Sequence, residues 1–383
     1  MDFDLSEEQR LLQESVGKLI ADEYDFEQRK AYAKEPVGFS LARWGQFAEL
    51  GLLGIPFPES LGGSGGSATE TMIVMEAFGR GLVLEPYLAT VVLGGGILRR
   101  AGSPAQQREL VPAIAAGRLR LALAHGERQA RYDLADVATT ARASGGGWVL
   151  TGRKAVALHG DSADRLIVSA RTGGAQRDAS GISLFLVDAK APGVGVQGYP
   201  TVDGLRAAEI ELQDVKLGPD ALIGERDRGL AIVERAIDAG IAALAAEAVG
   251  AMTAMHEITV DYLKTRKQFG VAIGSFQALQ HRAVDMLVAL EQARSMSYLA
   301  TMMAEEPDAA ERRRAISAAK VQIGRSARFV GQQSIQLHGG IGMTMEYKIG
   351  HYFKRVSMID TLFGDAEHHL RLVAAAGGLV DPL

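Results

Sequence analysis

The chain has 383 residues and no cysteine, and its 41 Lys and Arg against 46 Asp and Glu give a formal net charge of −5. A chain of this length is expected to divide into two or three domains. The missing cysteines exclude disulfides, thiolate catalysis and zinc–thiolate sites. The small negative charge, with no basic run, argues against a nucleic-acid partner.

The first residues of the chain do not predict export, and its apolar segments do not predict membrane insertion. The acidic start, Met1–Asp4, lacks the basic region of an export signal. The most apolar stretch, residues 241–255, contains Glu247 and falls short of the roughly 20 apolar residues that span a bilayer. We therefore expect a cytoplasmic globular protein.

Helical periodicity runs from residue 1 to about residue 118, and its helix starts carry side chains that satisfy unpaired amides. Ser6 with Gln9, and Ser103 with Gln106, have the spacing of a capping box. Gly117 is suited to end the last of these helices. Residues 1–118 are therefore predicted to form an N-terminal helical domain.

The period changes between residues 119 and 226, where short or alternating apolar runs are separated by glycine-rich turns. These runs are Trp148–Leu150, Arg165–Val168, Ile182–Val187 and Ala208–Leu212. They predict a middle antiparallel β domain. The helical period then returns over 227–383, with long segments near 229–266, 275–304 and 308–337, and predicts a C-terminal helical bundle.

Two short segments combine glycine with ligand-binding side chains. Arg266 and Gln268 follow a long helix, and the planar guanidinium of arginine suits a pyrophosphate group. Gly339 and Gly340 would let a ligand approach the backbone, although taken alone a helix end and turn is the favoured explanation of these glycines. No metal site is expected, because the neighbours His368 and His369 would point about 100° apart on a helix.

The segments Tyr262–Gly270 and Gln336–Gly342 contain the patterns Arg-x-x-Phe-Gly and Gln-x-x-Gly-Gly-x-Gly. In both patterns, and in the order helical, β, helical, the chain resembles the acyl-CoA dehydrogenase family of flavoproteins. The resemblance covers nearly the whole chain. It implies an α+β fold with an N-terminal helical domain, a middle β-barrel or sandwich and a C-terminal four-helix bundle.

The same resemblance implies FAD as cofactor, bound across a subunit interface through its adenosine and pyrophosphate. The residues that match this role are Arg266, Gln268, Phe269, Gln336, Gly339 and Gly340. The implied reaction is α,β-desaturation of an acyl-CoA, with electrons passed to an electron-transferring flavoprotein. Within the family, Met1–Arg10 and Met72–Arg80 are most similar to small subunits of pimeloyl-CoA dehydrogenases.

Three parts of the family's active site differ here. The loop that covers the flavin is matched by Gly126–Asp133 and has lost its hydroxyl donor. In the segment Lys154–Gly160, Val156 stands where the family has a tryptophan beside the flavin. The usual glutamate base is matched by Gly364, and its alternative location on an earlier helix is matched by Gly240.

A carboxylate base must come within about 3 Å of the α-proton, so nearby acids are candidate substitutes. Asp365 ranks first, Asp238 second and Glu247 last. The favoured hypothesis is a chain without a base, acting in a heterotetramer with a related subunit. Two alternatives remain: an active homotetramer that uses Asp365 as base, and a structural or assembly homologue without flavin.

Overall fold

The computed structural model describes residues 5–377, so the acidic start Met1–Asp4, with the first part of the N-terminal match, lies outside the described residues. The chain forms two compact units. One contains residues 5–31, 68–83 and 241–377, and the other contains residues 32–67 and 84–240.

The helices and strands follow the predicted order of helical, β and helical regions. The helices are α1 Glu7–Glu23, α2 Phe26–Tyr32, α3 Leu41–Glu49, α4 Ala68–Gly81, a π-helix Leu88–Gly95 that continues into α5 Gly96–Ala101, α6 Pro104–Ala115, α7 Gly229–Thr265, α8 Gln277–Met303, α9 Ala309–His338, α10 Lys348–Thr361 and α11 Ala366–Ala375. The strands are β1 Leu121–Ala124, β2 Thr140–Ser144, β3 Gly147–Leu158, β4 Arg165–Arg171, β5 Ile182–Asp188, β6 Val194–Pro200, β7 Arg206–Leu217, β8 Leu222–Ile223, β9 Lys267–Gln268 and β10 Val271–Ala272.

The helix-start predictions are confirmed. Ser6 and Gln9 form a reciprocal capping box at α1, and Ser103 and Gln106 form one at α6. Gly117, with φ of +70°, follows α6 and donates its amide to the Ile114 carbonyl. The three long C-terminal helices, α7, α8 and α9, end within a few residues of the predicted bounds because glycine turns and the Asp308 cap interrupt the helical ladder there.

Two glycines let α4 and α7 touch backbone to backbone within the helical unit. A Cβ atom on Gly79 would lie 1.9 Å from the Glu247 carbonyl oxygen, and one on Gly250 would lie 1.9 Å from the Glu76 carbonyl oxygen. No side chain fits at either position. This crossing fixes α7 against α4, while α9 packs against α8, α10 and α11.

The β region is a mostly antiparallel sheet with the strand order β6-β7-β3-β2-β4-β5-β8. β1 joins it by pairing with β4 in the parallel direction, a pairing that alternation of apolar residues does not encode. The buried face is built largely from the predicted runs, including Leu150, Leu166, Phe185 and Ile210. The four predicted strand segments are therefore confirmed.

The most apolar part of helix α7 is buried. Its residues Ile241–Ala246 are all nearly inaccessible to solvent. Among residues 5–377, no helix is both long and apolar enough to cross a membrane.

Two glycine substitutions, one at the α4–α7 crossing and one in α1, should have opposite effects on the free energy of unfolding. Gly250→Ala places a methyl group on the Glu76 carbonyl and should destabilise the helical unit by about 3 kcal/mol. Gly17→Ala, at an exposed position inside α1 where a Cβ meets nothing within 4 Å, should stabilise it by about 1 kcal/mol. Thermal melts followed by far-ultraviolet circular dichroism compare the two, and equal melting temperatures would contradict the crossing.

Candidate functional site

The Arg266 segment forms a hairpin that projects from the end of α7. β9 and β10 pair antiparallel, and the turn residues Phe269 and Gly270 have φ of +54° and +80°, as a two-residue hairpin turn requires. Phe269 is 89% exposed. The side chains of Arg266 and Gln268 are exposed as well. The hairpin therefore presents all three side chains at the surface of this chain.

The second segment is an open glycine turn at the end of α9. Gly339 has φ of +64°, and a Cβ atom built on Gly339 or on Gly340 would meet nothing within 4 Å. Gln336 is exposed on the last turn of the same helix. The backbone here is accessible to a ligand, because no neighbouring group of the described chain occupies the space beside it.

A stack of rings brings the two segments together. Tyr262, near the end of α7, lies on His338 with 4.5 Å between ring centroids and 29° between ring planes. The Tyr347 ring is tilted by 48° against His338, with 5.1 Å between ring centroids. A guanidinium, two amide side chains and an open glycine backbone fit the adenosine and pyrophosphate of FAD.

The segment at the end of α10 has an unusual backbone. Phe363 has φ of +60° and Gly364 has φ of +109°. A Cβ atom on Gly364 would lie 2.6 Å from His368 Cδ2 and 2.7 Å from His369 Nε2. Only glycine adopts this conformation readily, so both the backbone and the neighbouring imidazoles exclude a glutamate in this arrangement.

His369 is held in place by both ring nitrogens. Nε2 lies 3.0 Å from the Phe363 carbonyl, to which it donates, and Nδ1 lies 3.0 Å from Ser317 Oγ, from which it accepts. Burial is the main cause that lowers the pKa of His369, to about 4. The imidazole is therefore neutral at pH 7 and supports the Gly364 conformation as a fixed wall.

Two of the three candidate carboxylates make structural contacts, and the third is buried. Asp365 is the N-cap of α11, and its Oδ1 accepts a 2.7 Å hydrogen bond from the His368 amide. Glu247 forms a buried two-point ion pair with Arg355, with N···O distances of 2.5 and 2.7 Å. Asp238 is 2% exposed in α7. Asp365 as a base stays a prediction.

The β region contains a buried charged network that the sequence analysis did not identify. Lys154 Nζ donates to Glu127 Oε1 at 2.6 Å, to Ser169 Oγ at 3.0 Å and to the His125 carbonyl at 3.3 Å. Glu127 also accepts from the amides of Ala138 and Thr139 at 2.9 and 3.1 Å. The network ties the 127–139 loop to β3 and β4. A lysine among inward-facing strand positions was the available sequence indication.

Both members of this pair are charged at neutral pH. Burial lowers the pKa of Lys154 to about 8, against the opposing effect of Glu127. Burial raises the pKa of Glu127, but the charge and hydrogen bond of Lys154, together with hydrogen bonds from Gln129 and the Ala138 amide, outweigh burial and lower this pKa to about 2.

Val156 lies two residues beyond Lys154, where β3 shifts register against β7. Its φ is +54° and it is half exposed. A β-branched residue is strained in this region, at a cost of roughly 1–2 kcal/mol. Val156 therefore presents a short aliphatic side chain from a strained bulge. Among residues 5–377, no group of three His, Asp or Glu side chains is arranged to hold a metal ion.

Comparison with protein families covers most of the chain. The family description acyl-CoA dehydrogenase, N-terminal domain, matches residues 6–118; the middle domain of the same family matches residues 122–215; and its C-terminal domain matches residues 227–378. "Probable acyl-CoA dehydrogenase YngJ" of Bacillus subtilis is 30% identical over 380 residues, which is 98% of this chain and 99% of that protein.

Two solved structures, each named after a pair of chains, are similar to this protein over nearly its whole length. The steroid ACAD Tcur3481-Tcur3483, solved as a variant, has a TM-score of 0.86 and 30% identity, covering 97% of both chains. The ChsE4-ChsE5 complex from Mycobacterium tuberculosis has a TM-score of 0.86 and 26% identity, covering 98% of both chains.

The buried network predicts a specific pattern of stabilities. Lys154→Met leaves the Glu127 carboxylate buried without a counter-charge and should cost about 3–5 kcal/mol, whereas adding Glu127→Gln should recover much of this loss. The control Arg153→Met breaks an exposed ion pair with Glu211 and should cost less than about 1 kcal/mol.

Tryptophan fluorescence during urea unfolding reports this comparison, because the chain's two tryptophans, Trp44 and Trp148, lie in the unit that contains the network. Additive losses in the double variant would show that the two charges do not interact.

Proposed function

Because the chain belongs to the acyl-CoA dehydrogenase family, we propose that it is the subunit of a heterotetramer that lacks the catalytic base. In this assembly a related chain supplies the base and the pocket for the flavin ring. This chain supplies contacts to the adenosine and pyrophosphate of the same FAD.

The family identifies the protein as an oxidoreductase that acts on acyl-CoA, with FAD as cofactor. When bound, FAD supplies the acceptor for the β-hydride. The residues of this chain would bind and orient it. The Arg266 guanidinium would donate to the pyrophosphate, the Gln268 and Gln336 amides would hold adjacent polar atoms, and the Gly339–Gly340 backbone would lie against the cofactor.

The observation that carries the proposal is the conformation of Gly364. Its φ of +109°, with imidazoles 2.6–2.7 Å from the position that a Cβ atom would take, means that a glutamate would fit only if the backbone and both imidazoles moved. The alternative position on α7 is Gly240, which also has no functional group. Neither position at which the family carries its base offers a carboxylate here.

The homotetramer alternative requires Asp365 to act as base. Its carboxylate accepts a hydrogen bond from the His368 amide at the start of α11. Breaking this hydrogen bond would remove the N-cap of that helix, at a cost of about 1 kcal/mol. The structural-homologue alternative leaves unexplained why Arg266, Gln268 and Gln336 remain exposed beside an open glycine backbone. Similarity to a complex of two named chains, ChsE4 and ChsE5, supports the heteromeric assembly.

The acyl group is the least constrained part of the proposal. The resemblance to pimeloyl-CoA dehydrogenase small subunits favours a dicarboxylyl-CoA, while the name of a solved relative favours a steroid acyl-CoA. The electron acceptor proposed from the family is an electron-transferring flavoprotein, and similarity to a subunit of a caffeyl-CoA reductase–Etf complex supports it.

The ratio of FAD to chain tests the proposal directly. The chain purified alone should be colourless, and the chain co-purified with its related subunit should contain about one FAD per heterodimer. Anaerobic addition of pimeloyl-CoA or a steroid acyl-CoA should bleach the flavin only in the complex. A full complement of FAD on the lone chain, bleached by either acyl-CoA, would instead establish an active homotetramer, and Asp365→Asn would then be expected to abolish the bleaching.

Restoring the missing carboxylate gives a second test. Gly364→Glu in the lone chain should neither produce acyl-CoA oxidation nor fold as stably as the parent, because the side chain meets His368 and His369. Gly340→Ala, where a Cβ meets nothing within 4 Å, should leave the melting temperature nearly unchanged. Acyl-CoA oxidation by the lone Gly364→Glu chain would contradict the proposal.

A further inference from the structure

The stack of Tyr262, His338 and Tyr347 lies behind the proposed cofactor surface. Tyr262 precedes Arg266 by one helical turn, and the Arg266 amide donates to the Tyr262 carbonyl at 2.8 Å. His338 follows Gln336 by two residues at the end of α9. The stack therefore joins the base of the hairpin to the base of the glycine turn, which are 76 residues apart in the sequence between Tyr262 and His338.

The polar contacts of His338 define its protonation. The ring is 3% exposed, and Nδ1 lies 2.8 Å from the Ser334 carbonyl. A carbonyl only accepts, so Nδ1 carries the hydrogen. Nε2 is buried and has no hydrogen-bond partner among the described residues. The ring is therefore fixed in orientation by one hydrogen bond and by its two aromatic neighbours.

The hairpin has little structure of its own to hold it. It contains two paired residues on each side of a turn in which Phe269 occupies the left-handed region. An isolated hairpin of this size is not stable in water. Its position relative to the Gly339–Gly340 backbone must therefore come from the helix ends that carry it.

We propose that Tyr262, His338 and Tyr347 form an aromatic clasp that fixes the hairpin against the glycine turn, and that neutral His338 is a positioning residue for FAD. This inference rests on the proposed function, because it assumes that the two segments bind one cofactor. A preformed surface binds a ligand more tightly because less conformational freedom is lost on binding. His338 acts through Arg266 and Gln336 without contacting the cofactor.

The clasp has a pH dependence of defined sign. Burial lowers the pKa of His338 from its ordinary value of 6.5. Protonation would add an N–H at Nε2, and the groups around the ring are Tyr262 of α7, Tyr347 before α10 and the Ser334 carbonyl, which is already bonded to Nδ1. The added N–H would be buried where Nε2 has no hydrogen-bond partner among the described residues, so the clasp contributes fully above pH 6.5 and is weakened as pH falls below it.

Three variants of the full chain, each assembled with the related subunit, test the clasp by fluorescence titration of the apo complex with FAD. His338→Ala removes both aromatic contacts and should weaken FAD binding about tenfold. His338→Phe keeps the ring and should restore binding to within about threefold at pH 7. Tyr352→Phe removes a hydrogen bond to the Arg80 carbonyl and no ring of the clasp, so it should change stability without changing FAD affinity.

The pH profile separates positioning from general stability. Between about pH 7 and pH 5 the parent complex should lose FAD affinity more steeply than His338→Phe, which cannot be protonated. Hydrogen exchange on the chain alone should show faster exchange of amides 266–273 and 339–344 in His338→Ala, and parental exchange in Tyr352→Phe.

Parental FAD affinity together with parental exchange in His338→Ala would overturn the inference. A parent complex that contains no FAD would count against the proposed function instead. In that case the exchange of the two segments still decides whether the clasp holds them together.

Discussion

The contact of α4 and α7 at Gly79 and Gly250 is the constraint on which the helical unit depends. At this crossing the backbones of α4 and α7 are in direct contact, and the Glu247 carbonyl faces Gly79. The carboxylate of the same Glu247 accepts a hydrogen bond from Arg355 of α10. The hairpin follows the C-terminal end of α7, and the Phe363–Gly364 segment follows the C-terminal end of α10. A single packed contact thus helps to orient both segments that the resemblance assigns to cofactor binding and to the base.

These two regions have opposite physical character. The hairpin and the glycine turn are exposed, with space beside Gly339 and Gly340. The Gly364 segment is buried, and the imidazoles of His368 and His369 lie against it. An open surface is suited to receive a ligand carried by another molecule, whereas a closed and strained segment has no room for a reacting group. The contrast is consistent with the proposed division of cofactor binding and catalysis between two related chains.

The sequence predicted the parts of the structure that depend on local chemistry. Ser6 and Ser103 identified helix starts because capping acts over three residues, and apolar alternation identified β4 and β5. The parallel pairing of β1 with β4, the Lys154–Glu127 pair and the stacking of Tyr262 on His338 were not predicted, because each joins positions far apart in sequence. The family motif located Gly364, but it did not reveal the backbone conformation there.

The exposed Phe269 ring has a consequence for assembly. The ring is 89% exposed at the tip of the hairpin and is therefore in contact with water in the chain alone. If a related chain covers it, burial of the ring would contribute roughly 2 kcal/mol to association. Part of the affinity between the two chains would then come from the same hairpin that carries the proposed cofactor contacts.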